Sequence, residues 1–233
     1  MPNLDVLSDA TNGQSGAASS FGSTDWAGTR NLDTGASPNF GIANSQYGAG
    51  IAQIAGTIVI IYRSVFCFDT SGITVAPTAV TLKIYTKTRN NGDVRAVKCT
   101  HFSDGAITNA DFDAIPGFTD GASMSGNVTD YSAVVAEGNW AADGNINNIS
   151  LNSTAMSDMA SLDTFQVCIV NNTYDYLNVA PSGTITHAAG MYYSNNSGTS
   201  LDPFIEYTAG SSPGGKIILN AGHITLTAGK ITL

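Results

Sequence analysis

The 233-residue sequence predicts an all-β protein, a jelly-roll β-sandwich with an irregular N-terminal arm and a C-terminal repeat of short strands. Three observations predict this class. Val, Ile, Leu, Phe and Tyr recur two apart in short runs that end at Gly, Asn, Asp or Ser. Only two short stretches read as helix. Charged residues make up 12% of the chain, against roughly 25% in an ordinary soluble domain, and small polar residues fill the space. That is the composition of a chain with many tight turns. It is too rich in regularly spaced apolar residues to be disordered.

Residues 1–50 are dominated by Gly, Ala, Ser, Asn and Asp, and only the stretch from Asn3 to Leu7 reads as a strand. This part reads as a lead-in, or as an arm reaching a neighbouring subunit. Thr57 to Phe68 is apolar at both parities, which predicts a central strand buried on both faces. Val80 to Thr88 alternates, with Val80, Leu82 and Ile84 on one side. Asn91-Gly92 then predicts a hairpin turn, with Val94 to Phe102 as the returning strand. Ile107 to Ile115 predicts a short helix stopped by Pro116-Gly117, and Tyr131 to Val135 a strand. Ser153 to Ala160 predicts a second helix with Ser153 as its N-cap. Thr164 to Asn171, Ala189 to Tyr193 and Pro203 to Thr208 complete the strands. The division is therefore lead-in 1–50, sandwich 51–208, Gly-Ser-Pro linker 209–215 and tail 216–233.

The tail repeats itself. Gly215-Lys-Ile-Ile-Leu-Asn-Ala is followed by Gly222-His-Ile-Thr-Leu-Thr-Ala and by Gly229-Lys-Ile-Thr-Leu233. A seven-residue period suggests a coiled coil, but a glycine in each unit costs a helix about 1 kcal/mol and Ile and Thr favour strands. Within each unit the apolar residues fall two apart: Ile217 and Leu219, Ile224 and Leu226, Ile231 and Leu233. Each unit reads as a short strand, and Gly215, Gly222 and Gly229 as turns. Such units stack as β-solenoids or as intertwined multi-chain β-helices. The pattern resembles the stacks in trimeric fibres of bacterial viruses, which implies that these nine residues form an oligomerisation surface. The alternative is a hairpin absorbed by its own domain.

A second resemblance lies in the middle of the chain. Arg63-Ser-Val-Phe-Cys-Phe-Asp-Thr-Ser-Gly-Ile73 precedes Ala79-Val-Thr-Leu-Lys-Ile-Tyr85, and Asp202-Pro-Phe-Ile-Glu-Tyr207 follows near the end. These segments resemble the DNRLRE-type, carbohydrate-binding-module-like jelly-roll domains of bacterial surface proteins and phage structural proteins. The likeness spans about residues 40–208 and implies a fold, not an activity. It places Phe66, Phe68, Ile73 and Leu82 in the core and makes Asp69 the cap of a turn.

Charge and chemistry narrow the function. The net charge is −9 and the chain has nine Lys and Arg residues, so direct nucleic-acid binding is not expected. Cys67, Cys99 and Cys168 have no metal spacing, and Cys67 and Cys168 sit in apolar runs as buried free thiols. The N-terminus shows no secretory signal, and the run from Ile51 to Tyr62 is too short to insert in a membrane. Asp33-Thr-Gly-Ala-Ser37 matches the active-site signature of retroviral-type aspartic proteases. However, it lacks the apolar strand before the aspartate, and Asp69-Thr-Ser-Gly72 is not a second copy. A turn explains the same residues. His101, His187 and His223 are isolated. Asp111 and Asp113, with Asn109, could offer oxygen ligands to calcium, but the spacing fits a short helix better. Trp26, Trp140, Tyr174, Tyr176, Tyr192 and Tyr193 could stack on a glycan, the first four being the leading candidates.

Together these features imply a non-enzymatic virion protein of a tailed bacteriophage with no cofactor. It would be a capsid decoration (cement) protein or a short fibre or spike component, made in the host cytoplasm. It would trimerise through its tail and contact other capsid or tail proteins. A carbohydrate- or receptor-binding adhesin domain and the subunit of an extracellular filament are the alternatives.

Overall fold

The computed structural model describes residues 2–5, 15–21, 26–33, 37–39, 44–54, 58–100, 111–194, 199–211, 219–220 and 223–224. The chain is mostly β. Its strands are β1 (Asn3–Asp5), β2 (Ser15–Phe21), β3 (Ser37–Asn39), β4 (Asn44–Ile54), β5 (Ile58–Asp69), β6 (Ala79–Asn90) and β7 (Val94–Lys98). They continue with β8 (Ile146–Ser150), β9 (Thr164–Asn171), β10 (Ile185–Tyr192), β11 (Phe204–Thr208), β12 (Leu219–Asn220) and β13 (His223–Ile224). Two α-helices, α1 (Trp26–Arg30) and α2 (Ser153–Ser161), accompany them. β1 to β11 form one strongly curled, antiparallel, eleven-stranded sheet, with the path β1-β11-β6-β10-β4-β5-β2-β3 and branches at β7, β8 and β9.

Two long strands cause the curl. β5 pairs with β4 along Ile58–Tyr62 and then with β9 along Ser64–Asp69, while β2 runs along its other edge from Ile60 to Phe66. β6 lies between β11 and β8 in its first half and hands over to β10 from Thr86 to Arg89. Each long strand thus belongs to two groups of neighbours, and the twist between the groups brings their faces together. Phe66 and Phe68 of β5, Phe165, Val167 and Ile169 of β9, Leu82 and Ile84 of β6, and Ile149 of β8 meet in one buried cluster. α2 closes one side of it with Ala155 and Met159.

The reverse face of β5, β9 and β7 is buried too. Val65, Cys67, Cys168, Val170 and Val97 lie under Ile115 and Met124, which come from segments of little regular structure, and under Tyr176, from the helical turn after β9. This double burial is why β5 and β9 read as nearly continuous apolar runs. β9 keeps the bounds expected from the sequence, and β5 lies within a residue of them. Asp69 Oδ1 accepts from the Ser71 amide and hydroxyl at 2.9 and 2.6 Å, so it caps the following turn as expected.

Four expectations need correction. First, the lead-in contributes to the sheet: β1 pairs with β11, β2 with β5, and β4 with β5 and β10. A boundary at residue 50 would cut β4. Its Gly48, Ala49, Gly50 and Ala52 carry no apolar alternation, yet they let β10 approach; a Cβ on Gly50 would lie 2.4 Å from the Ala188 Cβ. Second, Asn91-Gly92 is not a hairpin turn. β7 pairs with β9 and not with β6, so the left-handed Asn91 (φ 52°) turns the chain from one group of strands to the other. Third, residues 131–135 form single bridges, Ser132 to Leu151 and Val135 to Val94, in place of a strand. Fourth, the N-cap of α2 is Asn152, whose side chain accepts from the Ala155 amide. Of the helix expected at 107–115, residues 111–115 form turns and the rest lies outside the described residues.

Cys67, Cys99 and Cys168 are buried thiols that form no disulfide. No helix among the described residues is long and apolar enough to cross a membrane.

Candidate functional site

β9 ends in an uncommon element. Asn172–Tyr176 form one π-helical turn, closed by the Leu177 amide donating to Asn172 O at 2.9 Å. Such turns are rare and frequently sit at functional sites. The Asn171 side chain caps this one by accepting from the Tyr174 amide at 2.9 Å. Asp93, just past the Asn91-Gly92 corner, holds it from the side. Its carboxylate accepts from Asn172 Nδ2 at 3.1 Å, the Thr173 amide at 3.3 Å and Thr173 Oγ1 at 2.6 Å.

Beneath the turn lies a buried charge cluster. Arg63 of β5 donates from Nε and Nη2 to the two oxygens of Asp175 at 2.7 and 2.9 Å, a bidentate pair, and from Nη1 to Phe112 O at 2.6 Å. Arg30 of α1 donates from Nε to Asp175 O at 2.9 Å. The Arg63 guanidinium lies 4.2 Å from the Phe112 ring centre, and both arginines lie 4.8 Å from that of Phe118. All three charged groups are within 1% of full burial. One aspartate thereby ties α1, β5, the π-turn and the segment around residue 112 together.

These anchors fix the walls of an open cleft of about 400 Å³ lined by Asn91, Asp93, Val134, Ala136, Glu137, Asn172, Thr173, Tyr174 and His187. The Tyr174 and His187 rings lie 5.3 Å apart, tilted by 53°. His187 Nδ1 is 3.0 Å from Asn91 O. A carbonyl only accepts, so Nδ1 carries the hydrogen, and in the neutral form of the ring that leaves Nε2 as an acceptor. Burial pushes the Tyr174 hydroxyl pKa up, and the negative charges of Asp93 and Glu137 add to the shift. Two carboxylates and no Lys or Arg line the cleft. It can therefore accept hydrogen bonds and offer an aromatic surface, and it disfavours anions.

The structure separates the aromatic candidates from one another. Tyr174 lines the cleft. Trp26 is half-buried at the start of α1, donates its indole N–H to Asn178 Oδ1 at 2.8 Å, and packs with Tyr174 on Ile51, Val59, Ile61 and Phe112. Trp140 is 1% exposed, in the main core, with its indole N–H directed at Gly190 O. Tyr176 is 2% exposed, and its hydroxyl donates to Asp130. Burial removes Trp140 and Tyr176 from glycan stacking: a ring with no free face cannot meet a sugar. Tyr193 is buried as well, and the Tyr192 ring faces Lys87.

Of the tail residues, Leu219 and Ile224 are paired across β12 and β13. Gly215, Ile217, Gly222, Leu226, Gly229, Ile231 and Leu233 lie outside the described residues. Asp33 is exposed, and residues 34–36 of the Asp33–Ser37 motif lie outside the described set, as does Asn109 of the calcium candidates. Among the described residues, no group of three His, Cys, Asp or Glu side chains is placed to hold a metal ion.

Asp93, Glu137, Asn172, Thr173 and His187 were not singled out by the sequence as one site. They come from four separated segments, and His187 looks solitary in the chain. The one local signal is the polar run from Asn171 to Thr173 directly after a buried strand. No family model matches the chain, and no curated protein is significantly similar to it.

Proposed function

We propose that this chain is a non-enzymatic structural protein of the virion of a tailed bacteriophage, either a capsid decoration protein or a short fibre or spike component. The curled β-domain is read as a jelly-roll head, and the repeat at 216–233 as the segment that joins three copies. The observation that carries the proposal is the repeat itself, Gly-[Lys/His]-Ile-x-Leu, three times in succession. In support, β12 and β13 pair with each other in a two-stranded sheet separate from the eleven-stranded one. A segment so short buries little apolar surface by itself. Burying Ile217, Leu219, Ile224, Leu226, Ile231 and Leu233 between chains would contribute on the order of 1.5–3 kcal/mol per side chain at most. A closed ring of three would also remove exposed strand edges. Light scattering tests this on the full chain and on a version ending at Gly210. The expected masses are trimer and monomer. Two monomers would reject the proposal, and open filaments in electron micrographs would favour the filament alternative.

A second reading, a carbohydrate- or receptor-binding head, has its own support in the cleft at Tyr174. It is compatible with a decoration or fibre role, since it concerns the head and not the tail.

A further inference from the structure

We propose that the cleft between the π-turn and β10 binds a neutral sugar ring, held by Tyr174, His187 and Glu137, and rejects acidic sugars. The proposal rests on the second reading above and gives it a site and a ligand class.

Size is the first argument. About 400 Å³ falls in the range of small-ligand sites, roughly 300–1,000 Å³. Surface chemistry is the second. A pyranose presents C–H groups on its faces and hydroxyl donors around its rim. The cleft has a matching aromatic group in the Tyr174–His187 ring pair. For the hydroxyls it has the Glu137 carboxylate, which forms no ion pair with a described residue, and the second ring nitrogen of His187, Nε2, which does not bond to Asn91. Val134, 43% exposed, adds apolar surface at the rim.

Rigidity is the third argument. Tyr174 is not on a free loop. Its amide is capped by Asn171, its carbonyl accepts from the Val179 amide at 3.1 Å, and Asp93 grips the two residues before it. His187 is fixed by its bond to Asn91 O. The ring pair is thus in place before a ligand arrives, which lowers the entropy lost on binding.

Charge sets the class. Asp93 and Glu137 face the cleft with no Lys or Arg among its lining residues. A uronic or sialic carboxylate would be brought beside like charges, and a neutral ring would not.

Saturation-transfer NMR on the full chain, with a panel of neutral and uronic-acid-bearing oligosaccharides, tests this. Transfer to at least one neutral oligosaccharide is expected. Tyr174→Ala should weaken its binding at least tenfold, Tyr174→Phe should restore most of it, and Glu137→Gln should weaken it severalfold. Glu137 is exposed, so its substitution reports on binding even if Tyr174→Ala fails to fold. Transfer to acidic sugars only, or binding that none of these substitutions changes, overturns this site and class while leaving a sugar-binding head intact. Transfer to no member of the panel overturns the site together with the second reading.

Discussion

Asp175 is the residue on which most of the functional region depends. It is 1% exposed and faces Arg63 and Arg30, both fully buried. Removing one partner of a buried ion pair leaves an uncompensated charge, which costs about 3–5 kcal/mol. Asp175→Asn keeps the shape and removes the charge. Its urea midpoint should drop accordingly, and an unchanged midpoint would show that the cluster does not hold the fold. Tyr62 gives a second test at this scale. It stacks on Tyr47 at 4.9 Å, and burial, followed by the Tyr47 charge, pushes its pKa up to about 12. Below pH 10 both the folded and the unfolded chain keep this proton, so Tyr62 adds no pH dependence. Above pH 10 the unfolded chain releases it first, and stability falls as pH rises from about 10 to about 12. Tyr62→Phe should flatten that part of the stability profile; the same alkaline slope in both proteins would rule the effect out. None of this was visible in the sequence, where Arg63 appeared only as part of a strand motif. A charge can enter an apolar strand only if a partner waits for it, and the partner is 112 positions away.

At the scale of elements, the corner Asn91-Gly92-Asp93 matters most. The sequence predicts a hairpin turn here; the structure has a corner in its place, with Asn91 left-handed at φ 52°. What it connects could not be read, because a turn residue specifies local backbone and not the partner strand. Gly92 is pressed on β10: a Cβ there would lie 2.4 Å from the Ala188 carbonyl carbon and 2.6 Å from the Ala189 nitrogen. Both are backbone atoms and cannot rotate away. Gly92→Ala should therefore destabilise by about 1–3 kcal/mol or more, since overpacking must shift a strand. It should also loosen sugar binding, because His187 bonds to Asn91 next door. A thermal melt equal to the wild type would refute the close packing. β4 illustrates the opposite difficulty. Its small residues give no alternation to recognise, yet they are the reason it can sit against β10.

For the whole molecule, the separate pairing of β12 with β13 has a thermodynamic consequence. Among the described strands these two bond only with each other, so the eleven-stranded sheet needs none of their hydrogen bonds. A version ending at Gly210 should melt within a few degrees of the full chain at low concentration and, if the tail trimerises the protein, lose any concentration dependence of melting. A collapse of the head on truncation would instead show that the tail belongs to its core. The curl of the sheet puts the π-turn, the Asn91 corner, residues 134–137 and β10 at one place, although they are spread over roughly a hundred residues of chain.

The sequence by itself determined the all-β class, the burial of β5 and β9, the turn at Asp69 and the burial of Cys67 and Cys168. These follow from local periodicity and composition, which each segment carries within itself. Only the tertiary structure decided that the lead-in completes the sheet, that Trp140 and Tyr176 are interior while Tyr174 lines a cleft, and that Asp93, Glu137 and His187 meet. Those facts depend on which strands pair and which way the sheet curls. Such choices are made by contacts between distant segments, and no local pattern encodes them.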